Sequence, residues 1–209
     1  MKQSDDEIIF SKDKFEVRLH EEVIEFINYP FRPASIFPSG IIKACEIQEI
    51  ITNFLPPAIR IKNDELIMIP RGQIPVEELL EFGERNKVNL VSRVDVWSLI
   101  LEEFLDTELG TDNEERVFQI LEEQGISRGH CRALRQRLAE IMFSYNFDSC
   151  LWEWCHLGLY DLLNACSGNL IKRKFLMPEK EFQGFYFEVM KIACWGACIR
   201  SNRISKRKE

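Results

Sequence analysis

The stretch Ala58-Ile59-Arg60-Ile61-Lys62-Asn63-Asp64-Glu65-Leu66-Ile67-Met68-Ile69 decides the class of fold. Ile59 and Ile61 alternate with Arg60 and Lys62, which is the two-residue period of a half-buried strand. Asn63-Asp64 supply turn chemistry, and Leu66 to Ile69 return as an apolar run that stops at Pro70, so a β-hairpin is expected. An isolated hairpin is only marginally stable in water. It therefore needs partners from residues 41–51, from 15–28, or from both.

Ile41 to Ile51 is rich in β-branched residues but also allows a helical reading through Ile47, Ile50, Ile51 and Phe54; strand is the expectation. Upstream, Tyr29 to Gly40 contains Pro30, Pro33 and Pro38 and is expected to be a loop. Downstream of the hairpin the apolar period changes from two to 3.6. Pro75 opens a short helix with Val76, Leu79 and Leu80, and Asn89 to Val91 suggests one more strand. Trp97, Ile100, Leu101, Phe104 and Leu105 then repeat helical spacing behind Asp95 as a cap.

Gly110 ends that helix, Thr111 to Glu114 fits a capping box before Val117, Ile120 and Leu121, and Gly125 is the stop. Ser127 caps a helix whose apolar face is Cys131, Leu134, Leu138, Ile141, Met142 and Tyr145. Two more helices are expected, one from Asp148 to about Gly168 and one from Pro178 with Phe182, Phe185, Val189, Ile192 and Gly196 on one face. The fold class is α+β: a small N-terminal antiparallel β region with a hairpin, over 1–92, followed by a C-terminal helical bundle over 93–209. One continuous domain is the alternative division.

Composition narrows the function classes. The chain has 209 residues, 45% hydrophobic and 29% charged, so it should fold by burial. A net charge of −7 argues against coating nucleic acid, which needs surplus Lys and Arg. Asp5, Asp6 and Glu7 stand where a signal peptide needs positive charge, and no apolar run reaches the ~18 residues of a membrane span. A cytoplasmic location without membrane insertion is expected. The seven cysteines, Cys45, Cys131, Cys150, Cys155, Cys166, Cys194 and Cys198, lack C-x-x-C spacing and read as reduced. Cys194 and Cys198 would lie one helical turn apart, too far for a bridge unless the helix opens.

Residues 148–166 are apolar nearly all round, as in a central helix. On a helix Glu153, His156, Tyr160 and Asn164 would form its one polar stripe. Glu153 and His156 have the E-x-x-H spacing of an acid/base or metal-ligand pair in carboxylate-rich bundles, yet no second such motif accompanies them among three histidines. No metal and no cofactor is predicted. A stripe facing water or bonding between helices is the structural alternative.

The turn Glu123-Gln124-Gly125-Ile126-Ser127 joins two helices in helix-turn-helix style, with Arg128, Arg132 and Arg135 on one side of the second. A basic face able to meet a DNA groove is one reading; an ordinary helical hairpin is the other. The tail Arg200 to Lys208 carries Arg200, Arg203, Lys206, Arg207 and Lys208, enough to attract phosphates or an acidic partner. Strand, hairpin, then helix over 41–51, 58–69 and 76–85 resembles the closing part of a bacterial pleckstrin-homology-like barrel, which implies a binding module. The chain lacks a Walker-type phosphate loop, a G-x-G-x-x-G, a G-x-S-x-G elbow and an H-E-x-x-H. The leading expectation is a non-catalytic interaction or regulatory protein with a protein partner. An enzyme or metal protein built on the stripe and a DNA-binding regulator are the competing expectations.

Overall fold

The computed structural model describes residues 14–105, 111–148, 156–168 and 177–199. It has the α+β arrangement expected, with strands first and most helices after. Strands β1 (Glu16–Leu19), β2 (Val23–Ile27) and β3 (Gly40–Lys43) form an antiparallel sheet in that order. A single 3-10 turn at Ala44–Glu46 separates β3 from β4 (Ile47–Ile51), so the 41–51 stretch is strand, but strand shared between two sheets.

The second sheet has the order β6-β5-β4-β7, with β5 at Ala58–Ile61, β6 at Leu66–Met68 and β7 at Asn89–Val91. The β5–β6 hairpin is the one read from sequence. Asp64 takes the left-handed conformation (φ 56°), and Ile61 N–H donates to the Glu65 carbonyl, which closes a loop over residues 62–64. In the register, Ile59 stands opposite Ile50 on one side and Ile67 on the other. All three are buried, so an apolar row crosses the sheet.

The sheet is not wholly antiparallel: β7 runs parallel to β4. Helix α1 (Val76–Arg85) supplies the crossover that a parallel pair needs. It packs its Leu79, Phe82 and Gly83 face inward, and a Cβ at Gly83 would come within 2.5 Å of Leu90 on β7. Glycine there lets the helix sit on the strand. This parallel closure departs from the antiparallel barrel that the pleckstrin-homology-like resemblance implied.

In the C-terminal half, α2 (Val96–Leu101) starts where predicted, with the Asp95 carboxylate accepting from Ser98 N–H at 3.0 Å. A 3-10 turn over Glu102–Phe104 follows. α3 (Thr111–Glu123) and α4 (Arg128–Asp148) are joined at Gly125, whose φ of +84° suits glycine. Ile126 N–H donates to Leu121 carbonyl and Gly125 N–H to Glu122 carbonyl, the paired bonds of a Schellman turn. The capping box expected from Thr111 and Glu114 turns on the Thr111 side chain, which lies outside what is described.

The helix read from Asp148 to Cys166 is corrected. Asp148 belongs to α4 rather than opening a helix, and among the described residues 156–158 are not helical, with α5 (Leu159–Ser167) beginning after Gly158. Gly158 is extended (φ −139°, ψ −170°), and its N–H donates to the Asp161 carboxylate at 2.9 Å. That local cap competes with helical continuation, and unbroken hydrophobicity gave no sign of it. Residues 149–155 lie outside the described residues, Glu153 among them.

α6 (Glu179–Ala193) follows Pro178 and buries Phe182, Phe185, Val189 and Ile192 as predicted, while Gly196 falls beyond its end. Trp97 of α2 is fully buried and donates from Nε1 to the Val189 carbonyl of α6 at 2.9 Å. One apolar cluster runs from Val17 through both sheets to Ala193. Polar ties cross it as well: Tyr186 of α6 donates to Glu65 beside the hairpin at 2.9 Å, and Glu65 also accepts from Ser35 N–H in the 29–40 loop. Cys45, Cys131, Cys166, Cys194 and Cys198 are free thiols. Because α6 stops at Ala193, Cys194 and Cys198 do not share a helix. No described helix is long and apolar enough to cross a membrane.

Candidate functional site

Three of the four stripe residues are described, and they sit in two neighbouring settings rather than on one helical face. His156 precedes α5 and reaches back to α2, with Nδ1 3.2 Å from the Ser98 hydroxyl. Asn164, on α5, is hydrogen-bonded to the hydroxyls of Tyr160 and of Tyr145 from α4. Between them lies Asp161, which accepts from Gly158 N–H and, at 3.4 Å, from the Tyr145 hydroxyl. Asp161 is 6% exposed, and burial pushes its carboxyl up to about 6. Burial likewise raises Asp95, which lies close enough to Asp161 for the two charges to repel, and His156 opposes the rise.

Ser98 and His156 invite comparison with a nucleophile and its base. Such a pair needs a third group to orient the imidazole through its other nitrogen, and an opening for substrate. Here Nε2 of His156 is buried without a hydrogen-bond partner. Gly158 closes the space beside it, since a Cβ there would lie 3.1 Å from Nε2 and 3.8 Å from Asp95 Oδ2. The described residues include no group of three or more His, Cys, Asp or Glu side chains placed to hold a metal ion. The arrangement fastens the start of α5 to α2 and α4.

The three arginines of the helix-turn-helix reading converge inward. Arg128, Arg132 and Arg135 all place their guanidinium groups 5.3–5.4 Å from the ring of Phe118 on α3. Arg135 is 6% exposed and donates to the carbonyls of Ile100 and Leu99, the unsatisfied end of α2, while pairing with Glu103 at 3.1 Å. Arg128 pairs with Glu115 and Glu122. Sequence spacing put them on one side of α4, but that side faces α3.

The acidic residues divide more sharply. Glu49 on β4 is 8% exposed and is gripped by Arg93, through Nε at 2.6 Å and Nη2 at 3.0 Å, and by Arg60 at 3.2 Å. A second group lines an open groove of about 750 Å³ between the β1–β2 turn and α1. Leu19, His20, Glu21 and Glu22 form one wall, and Glu78, Glu81 and Arg85 the other.

The wall is fixed by backbone. Arg85 donates to the carbonyls of His20 and Glu21, and Asn86 donates to the Glu21 carbonyl at 2.9 Å. Arg85, the one Lys or Arg among the groove's described lining residues, is thus turned toward carbonyls. Among the described residues the carboxylates of Glu21, Glu22, Glu78 and Glu81 have no hydrogen-bond or ion-pair partner, and all four are exposed. Glu78 and Glu81 were legible as the polar face of α1; their meeting with Glu21-Glu22 needed the fold.

A second groove, of about 290 Å³, is apolar and lies along Pro57, Ile69, Ile74, Pro75 and Leu79. No family model, curated protein or solved structure matches the chain.

Proposed function

We propose that the protein is a non-catalytic interaction module, and that its groove between the β1–β2 turn and α1 takes a cationic protein segment rich in Lys and Arg. The observation that carries this reading is the set of four unpaired glutamates lining one concave surface. Unpaired like charges on neighbouring positions destabilise a fold slightly. A concave acidic wall focuses field and raises the local concentration of cations. Among the described residues, Asp161, Tyr145 and Asn164 bond one another or backbone, and the Ser98 hydroxyl bonds the His156 imidazole. A cytoplasmic setting belongs to the same reading and is supported by the free thiols Cys131 and Cys166.

The test is titration of an arginine-rich peptide into the protein at low salt and at ~0.5 M salt, where exposed charges are screened within a few ångströms. Saturable binding that weakens with salt and is lost in the Glu78→Gln/Glu81→Gln variant is expected. No binding at low salt contradicts the reading.

A further inference from the structure

The start of α5 is held by polar bonds that meet around one glycine. Gly158 N–H donates to the Asp161 carboxylate at 2.9 Å, and the Gly158 carbonyl accepts from Leu162 N–H at 3.1 Å, the first bond of the helix. A Cβ at Gly158 would lie 3.1 Å from His156 Nε2, 3.3 Å from the Leu55 carbonyl and 3.8 Å from Asp95 Oδ2. His156 Nδ1 meets the Ser98 hydroxyl of α2, and the Tyr145 hydroxyl of α4 reaches Asp161 at 3.4 Å. Residues 156–161 are thus tied to α2 and α4 through groups that can gain or lose a proton.

Charge at this junction is unbalanced. The donors that reach the buried Asp161 carboxylate are Gly158 N–H, its own backbone N–H and the distant Tyr145 hydroxyl, and among the described residues no Lys or Arg forms an ion pair with it or with Asp95. A buried carboxylate without a cation bears the cost of its lost hydration, and a second carboxylate nearby adds repulsion. Three other titratable groups face the pair. The hydroxyls of Tyr145 on α4 and Tyr160 on α5 are raised by burial and stay protonated. His156 turns its buried, unpartnered Nε2 to the same point beside Gly158 as Asp95 Oδ2.

We propose that residues 156–161 form a proton-operated latch: with a proton on Asp161 the first turn of α5 is closed on α2 and α4, and loss of that proton sets two buried carboxylates against each other and lets the turn open at Gly158. Opening hydrates Asp161 by breaking the Leu162–Gly158 bond and the side-chain ties named above, and by exposing Leu157 and Leu159. Unfolding the whole chain would hydrate it at far greater cost. The direction is set by Asp161, whose carboxyl burial pushes up to about 6. The closed turn keeps its proton below that range and sheds it above, so acidification closes the latch and neutral pH loosens it. Asp95, also raised by burial, acts in the same direction.

Native-state amide exchange of the full chain at low urea tests the latch at Leu162, whose N–H bonds the Gly158 carbonyl. From about pH 4 to about pH 7, after correction for the intrinsic rate, Leu162 is expected to lose protection about a hundredfold. The exchange should depend little on urea, because a local opening exposes little surface. Asp161→Asn keeps an oxygen for Gly158 N–H and should abolish the pH response. Asp95→Asn keeps the cap on Ser98 N–H and should shrink the response, which decides the matter if Asp161→Asn does not fold. Leu162 exchange with the same urea dependence as Ile59 in the sheet centre would show that the turn opens only with the whole fold, and overturns the latch. A pH response that survives Asp161→Asn, or one that Asp95→Asn leaves unchanged, overturns it as well.

Discussion

Glu49 and Glu81 are glutamates on neighbouring elements, yet their surroundings are opposite. Glu49 is almost buried and shares its charge between Arg93 and Arg60, whereas Glu81 stands exposed on a groove wall beside three other unpaired carboxylates. A carboxylate buried with its partners ties the structure together and is costly to disturb. Exposed like charges with no partner repel one another and cost the fold a little, and their clustering on a concave surface is what the proposed binding role rests on. The contrast separates scaffold from proposed site: Glu49 and Arg135 are held inward, and the α1 groove leaves its carboxylates exposed.

Removing the inward charges should produce the largest effects. Glu49→Ala strands two partly buried guanidinium groups and should cost about 4 kcal/mol in urea unfolding; a loss under ~1 kcal/mol would break the contrast from its scaffold side. Asp161 gives a pH signature. Its carboxyl is raised from 3.8 to about 6, so the folded state keeps a proton that the unfolded state has released. The stability tied to that proton is present below pH ~4 and is lost as pH rises through ~6, a fall of about 3 kcal/mol from this group. Unfolding of Asp161→Asn across pH 3.5 to 7 should lack that fall, and an unchanged profile would show that Asp161 titrates normally. Arg135→Ala leaves the Leu99 and Ile100 carbonyls uncapped and should cost about 2 kcal/mol. Arg132→Ala, at an exposed position on the same face, should cost under ~1 kcal/mol by the same measurement.

Local signals were legible where they were chemical. The hairpin, the Asp95 cap, the Gly125 stop and Pro178 before α6 all follow from residues that leave the backbone few alternatives. The parallel placement of β7 was not legible, since strand period does not report strand direction. The long helix expected from Asp148 failed for a related reason. Periodicity averages over a window, while one glycine with a carboxylate three residues ahead ends the pattern at Gly158.

Of the candidate site, the arginines lay on one face as read, but helical phase does not say whether a face meets solvent or Phe118. His156 was legible as one of three histidines on an otherwise apolar stretch, whereas the burial of its unpartnered Nε2 came only with the fold. The groove shows the same limit. Glu21-Glu22 and Glu78-x-x-Glu81 are more than fifty residues apart in sequence, and Arg85 and Asn86 bring them together through backbone carbonyls that no motif encodes.

The smallest expected stability change bears most directly on the account. Glu21→Gln/Glu22→Gln/Glu78→Gln/Glu81→Gln relieves like-charge repulsion, and should raise stability in urea by about 0.5 kcal/mol at low salt while abolishing binding of the arginine-rich peptide. Opposite movement of the two readouts in one variant is the predicted result. A destabilised variant, or one that binds the peptide as tightly as the parent, would contradict the assignment of the groove as the protein's binding site.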